Sequence, residues 1–156
     1  MAPIRIAAAL CALVAAPAAL NAQREKLPFD DLDYVEKTWP QAQISNTGIR
    51  YVVEKRGSGP LLKAGDMAMV AYTGMLLHGK VFDRILDRKK PFTFRVGRGV
   101  VIDGWDQILQ MMRPGDKWLV IIPPELAYGR KGSPPKIPGD ATLVFEMEIL
   151  GVKPES

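Results

Sequence analysis

Trp105, Ile108, Leu109 and Met112 fall at i, i+3, i+4 and i+7, the one such run in the region that follows Gly48. That spacing puts four apolar side chains on one face of a helix. Asp103 and Gly104 precede the run, and Arg113-Pro114-Gly115 stops it. The segments around it alternate. Ile49, Tyr51 and Val53 alternate with Arg50, Val52 and Glu54. Met67 to Leu77 reads as a long strand turned at His78-Gly79, with Val81-Phe82-Asp83 pairing back. Phe92 to Val96 alternates, Trp118 to Ile122 is an apolar run ended by Pro123-Pro124, and Leu143, Phe145, Met147 and Ile149 alternate again. An alternating sheet has a face that needs covering, and the short helix is the available cover. The expected class is α+β: a twisted, mostly antiparallel five-stranded sheet wrapped around one short helix.

The first 22 residues are different material. Arg5 supplies a positive end, Ile6 to Leu20 carries no charge, and Ala22 is a small residue before polar Gln23. This is the pattern of a secretory signal peptide. The uncharged run is shorter than the ~20 residues a bilayer span needs, so no stable membrane insertion is expected once the signal is removed. Cys11 follows bulky Leu10 inside the run, which does not fit a lipoprotein signal. Cleavage after Ala22 would remove the chain's single cysteine, an arrangement that suits an oxidising compartment. Residues 23–47 read as a partly helical N-terminal extension. Leu32, Val35 and Trp39 lie at helical spacing, Asp30 and Asp31 favour a helix start, and Trp39-Pro40 ends it. Such a helix would pack on its own domain, which spans 48–153; an arm that binds a partner is the sharper reading.

Several chemistries are excluded. After the signal there is one histidine, His78, at a hairpin tip, and no cysteine, so neither zinc ligation nor a serine–histidine triad has the residues it needs. Gly97-Arg98-Gly99 begins like a dinucleotide loop, but Ile102 stands where the third glycine belongs. No cofactor is expected. The net charge of +4 is too mild, and too little clustered, to argue for nucleic acid. What remains is a set of large apolar side chains on separate segments beside one acid, Asp83. That describes an apolar, aromatic-floored pocket suited to a reaction that needs dehydration and shape.

The motifs YTGMLLHGKVFD, KPFTF, VIDGW, IPPELAYG and ATLVFEMEIL, in this order and spacing, resemble the FKBP-type peptidyl-prolyl cis-trans isomerases, the macrolide-binding immunophilins. The motif IPPELAYG resembles that of secreted bacterial members in particular. The resemblance covers roughly Thr47 to Lys153. It implies a proline pocket lined by Tyr72, Phe82, Asp83, Phe92, Val101, Ile102, Trp105, Tyr128, Ile137 and Phe145. Trp105 would be the floor, with Tyr72, Phe82 and Phe145 as walls. The Tyr128 hydroxyl and the Ile102 N–H would donate to substrate carbonyls. Arg88 matches a position that steadies the acid, which would join Asp83, Tyr72 and Arg88 in one network. Two positions depart from the pattern: Ser133 replaces a histidine and Lys136 an aliphatic residue, both on the 129–140 loop. These bear on client preference and macrolide affinity more than on the chemistry.

The expected function is isomerisation of Xaa-Pro bonds in unfolded or folding exported polypeptides, in a bacterial periplasm. Two rivals are a non-catalytic chaperone or adaptor that grips proline segments, and an interaction protein whose function sits in residues 23–47. The loop residues Arg84, Arg88, Lys89, Lys90, Arg95 and Arg98, relieved by Asp87, with Arg130, Lys131 and Lys136 on the second rim, suggest a preference for acidic clients or anionic surfaces.

Overall fold

The computed structural model describes residues 24–156, so the signal reading of residues 1–22 lies outside the described residues. The elements in chain order are α1 (Phe29–Thr38), β1 (Gln43–Ile44), β2 (Arg50–Lys55), β3 (Met67–Leu76), β4 (Val81–Ile85), β5 (Phe92–Arg95), α2 (Asp103–Leu109), β6 (Lys117–Ile122), a short 3-10 turn (Pro124–Leu126) and β7 (Leu143–Lys153). All strand pairs are antiparallel, in the order β1-β2-β6-β7-β3-β4. β5 pairs the first half of β3 (Met67 to Val70), and β4 pairs the second half (Tyr72 to Met75). The α+β architecture therefore stands, with seven strands rather than five. Two-residue β1 is too short to show any period, and β4 and β5 share one edge of β3 in tandem.

The inner face of the sheet wraps α2. Trp105, Ile108, Leu109 and Met112 are all buried there, as their spacing requires, although the regular helix closes at Leu109 and Met112 lies in the turn beyond it. On β6 the pleat divides the apolar run in two. Trp118, Val120 and Ile122 join the inner core, while Leu119 and Ile121 point to the outer face.

That outer face has its own cover. Val35 of α1 is fully buried against Leu119, Ile121 and Val144, with Leu32, Tyr34 and Trp39 around it. This explains why β6 is apolar without alternation, as a strand buried on both faces must be. Polar contacts hold α1 and the residues leading into it in place. The Thr142 hydroxyl donates to Asp31 at 2.6 Å, and Lys26 pairs with Glu125 at 2.7 Å. The Arg50 guanidinium, largely buried, bonds Glu25.

Candidate active site

The pocket forms on the inner face where the edge of β3 changes partner. Tyr72 sits at that change, between Val70, which pairs with Phe92 of β5, and Gly74, which pairs with Asp83 of β4. Phe82 and Asp83 thus arrive from one strand and Phe92 from the other. Phe145 lies opposite Gly74 on β7. A Cβ at position 74 would stand 2.7 Å from Phe82 Cζ and 2.9 Å from Phe145 Cε1. Glycine there is what lets two rings lie over the strand.

Trp105 is the hub of the aromatic cluster. Tyr72 meets it edge-on at 4.8 Å, Phe145 at 5.3 Å and Phe92 at 6.1 Å between ring centroids. Phe82 packs edge-on against Phe145 at 5.7 Å. Edge-to-face pairs of this kind fix ring orientation as well as position. Although Trp105 is only 3% exposed, it borders an open cavity of about 250 Å³, shared with Tyr72, Phe82, Asp83, Phe92 and Phe145. The remaining wall comes from Val100, Val101, Ile102 and Tyr128. Of Phe92 and Phe94, which stack at 5.1 Å, Phe92 reaches the cavity while Phe94 stays in the core.

The polar groups are few and divide into two kinds. One pair is engaged: the Tyr72 hydroxyl donates to Asp83 Oδ2 at 2.5 Å, and the Arg84 N–H donates to Asp83 Oδ1 at 2.8 Å. Burial, then the hydrogen bond and charge of Asp83, then Tyr128, push the Tyr72 phenol well above its ordinary range. It therefore stays a donor at neutral pH, and stability tied to it is lost only as pH rises above the usual tyrosine value of ~10. The other pair is free. Neither the Ile102 N–H nor the Tyr128 hydroxyl donates to any group among the described residues. Both border the cavity, and Tyr128 is 41% exposed.

Two expected residues are elsewhere. Arg88 does not reach Asp83. Its Nη1 pairs with Glu148 Oε2 at 2.9 Å, because the loop after β4 carries the guanidinium towards β7. Asp83 is held by Tyr72 and the backbone of Arg84 instead. Ile137 is buried in the core and does not line the cavity. Its backbone bridges Ser133, at 2.8 and 3.0 Å, and that bridge turns the side chain inward. Ser133 and Lys136 are exposed on the same loop. Of Ile85 and Leu86, the first packs on the core and the second is exposed.

One supporting residue was missed. Asp106 accepts from the Gly97 N–H at 2.8 Å and the Gly99 N–H at 2.9 Å. Both glycines take positive φ, 70° and 67°, which aims their N–H groups at one carboxylate. This is the physical content of the glycine pair that failed as a dinucleotide loop. The bonds tie the segment leading to Val100, Val101 and Ile102 to the first turn of α2. Asp106→Ala is expected to raise the backbone mobility of residues 97–102, measured by amide exchange, and to lower turnover several-fold with little change in the helix. Unchanged exchange there would rule out the tether.

Comparison with known proteins places this geometry. The model of the FKBP-type peptidyl-prolyl cis-trans isomerase family matches residues 59–150. The chain is similar to the human peptidyl-prolyl cis-trans isomerase FKBP4, 42% identical over 138 residues, covering 86% of this chain and 28% of that protein. It thus spans little more than a quarter of that relative. It is 50% identical to mouse FKBP2 over 94 residues, covering 60% of this chain and 67% of that protein. Among solved structures, FkpA from Escherichia coli superposes with a TM-score of 0.74 at 38% identity, covering 89% of this chain and 65% of that one. AtFKBP13 superposes with a TM-score of 0.67 at 40% identity, covering 72% and 99%.

Proposed function

The chain belongs to the FKBP-type peptidyl-prolyl cis-trans isomerases, and from that premise we propose that the aromatic cavity over Trp105 binds the proline ring of a polypeptide client and accelerates rotation about the preceding imide bond. The observation that carries this reading is the pairing of an aromatic-walled cavity with two unengaged donors on its wall, Ile102 N–H and Tyr128 O–H.

The chemistry needs no more than that. The imide barrier is about 18–20 kcal/mol because rotation breaks amide resonance. Uncatalysed exchange takes on the order of tens to hundreds of seconds. As the bond twists, charge separation between oxygen and nitrogen falls. An apolar cavity therefore favours the twisted state over the planar, dipolar one. Donors to the flanking carbonyls hold the chain on either side so that a single bond turns. Lowering the barrier by ~4 kcal/mol gives about a thousandfold acceleration. Asp83 keeps the Tyr72 ring oriented.

The clients are unfolded or folding exported polypeptides, and the working compartment is the bacterial periplasm. The charge and length pattern of residues 1–22 supports this. Among the described residues no helix is long and apolar enough to cross a membrane. Macrolides that fill the same cavity would compete with clients. Arg84, Lys89, Lys90 and Arg130 form no ion pair among the described residues, which supports a preference for acidic clients at the rim.

Exchange spectroscopy on a short Xaa-Pro peptide tests the proposal. Substoichiometric protein is expected to bring cis–trans exchange from minutes to well below a second, and Phe82→Ala to slow it by opening a wall. Tight binding with exchange left at its uncatalysed rate would favour the non-catalytic binding module instead.

A further inference from the structure

A second cleft borders the domain and shares no residue with the aromatic cavity. It has two chambers, of about 280 and 460 Å³, which share Tyr51 and Met111 in their walls. Gln107, Gln110 and Met111 line it from α2 and the turn that follows. At 3.6 residues per turn these lie on the far side of the helix from Trp105.

The first chamber is both aromatic and cationic. Tyr51 stacks on Trp118 at 4.7 Å with planes 13° apart, and Leu61 and Met111 form a part-exposed apolar rim. Arg56 and Arg113 both line it, and Asp116 draws their segments of the chain together by accepting the Gly57 and Arg113 N–H groups. The acid among the lining residues, Asp116, has both oxygens occupied by backbone N–H groups of Gly57 and Arg113. Arg113 donates to the Gly59 carbonyl at 2.6 Å. The Arg56 guanidinium has no side-chain partner among the described residues. The chamber therefore presents two guanidinia to one carboxylate, each of whose oxygens already accepts a backbone N–H.

Two buried polar atoms among the lining residues also lack partners: Trp118 Nε1 in the first chamber and Gln107 Oε1 in the second. Trp118 itself is 5% exposed. Buried polar atoms are rarely left unpaired. The main chain beside them is open too. β1 pairs β2 only at Arg50 and Tyr51, so no described strand covers the outer edge from Val52 to Lys55. A free edge next to pockets is what an added strand uses.

We infer that this cleft binds an extended acidic peptide segment, separately from proline capture. A carboxylate of the segment meets Arg56 and Arg113. A neighbouring apolar side chain rests on the Tyr51–Trp118 stack between Leu61 and Met111. The main chain runs along the free edge of β2. The occupant is fixed by charge complementarity, since a basic segment would place like charges beside the guanidinia.

The test uses the chain with its backbone amides and indoles labelled for NMR, and two short capped peptides without proline, one alternating Glu and Leu, the other alternating Lys and Leu. The acidic peptide is expected to shift the Trp118 indole N–H and the Val53 amide, leave the Trp105 indole unmoved, and bind about fivefold more weakly to Arg56→Glu, in line with a surface ion pair. The basic peptide is expected to produce no shift. Shifts at Trp105 in place of Trp118, equal binding of both peptides, unchanged affinity in Arg56→Glu, or no shift at millimolar peptide would each overturn the inference. A parallel Xaa-Pro assay keeps the two sites apart. Arg56→Glu is expected to exchange such peptides at the unaltered rate, and a lower rate would contradict the separateness of the cleft.

Discussion

Asp83→Ala is expected to lower kcat/KM on Xaa-Pro peptides by roughly tenfold to a hundredfold. The magnitude follows from the hydrogen bond it removes. A bond to a charged acceptor is worth about 1.5–3 kcal/mol, and each ~1.4 kcal/mol is tenfold in rate. The carboxylate is exposed, so its loss leaves no cavity. Its effect passes through Tyr72, whose hydroxyl it accepts at 2.5 Å and whose ring stands edge-on to Trp105. A double-mutant cycle separates that route from a direct one. In a Tyr72→Phe background the hydroxyl is already gone, and Asp83→Ala should then cost little more. If the two losses instead multiply in full, Asp83 acts on the client itself and its role as an orienting group is wrong.

The second large effect concerns the floor. Trp105→Ala is expected to cost about 3–5 kcal/mol, as truncation of a buried aromatic usually does. For a chain of this size that lowers Tm by roughly 6–20 °C. Trp105 is 3% exposed and touches Tyr72, Phe92, Phe94 and Phe145, so four rings lose their common neighbour. Turnover should fall too, but the destabilised protein would leave the reason ambiguous. Trp105→Leu resolves this by keeping apolar volume while removing the flat ring. It is expected to recover most of the lost stability and little of the lost turnover, as read by thermal unfolding alongside peptide exchange. Recovery of both in parallel would mean that Trp105 is core filling and no part of the site.

Much of this arrangement is legible in the chain. The face made by Trp105, Ile108, Leu109 and Met112 and the alternation on β2, β3 and β7 depend on local periodicity, which a sequence displays directly. The cluster around Asp83 is readable for a different reason: its ring types and spacings recur as motifs. The parts that escape depend on where a side chain turns after the backbone is placed. Arg88 is a long arm on a loop, and nothing in its neighbours announces that Glu148, 60 residues on, will take it. Ile137 looks like any apolar residue of a rim loop until the bridge to Ser133 turns it inward. Asp106 lies on the polar side of a helix, where an acid is unremarkable. Its function appears only when two glycine N–H groups, seven and nine residues away, converge on it. The two strands beyond the expected five have simpler reasons: two residues of β1 cannot show a period, and β4 and β5 share one edge of β3 in tandem.

The outer layer carries a related lesson. Val35 at 0% exposure shows that α1 is a packed element of the domain. Its partners are Leu119, Ile121 and Val144, the residues of β6 and β7 that point away from α2. The apolar run without alternation, Trp118 to Ile122, fits a strand covered on both faces.

The central claim is that a proline ring sits on the Trp105 indole while the bond before it turns. Magnetisation transfer between the ring protons of a bound Xaa-Pro peptide and the indole protons of Trp105 measures that contact directly. Strong transfer to Trp105, weaker transfer to Phe82 and Phe145, and none to Trp118 is the predicted result. Catalysed exchange with no transfer to Trp105 would place the reaction elsewhere on the molecule and contradict the account.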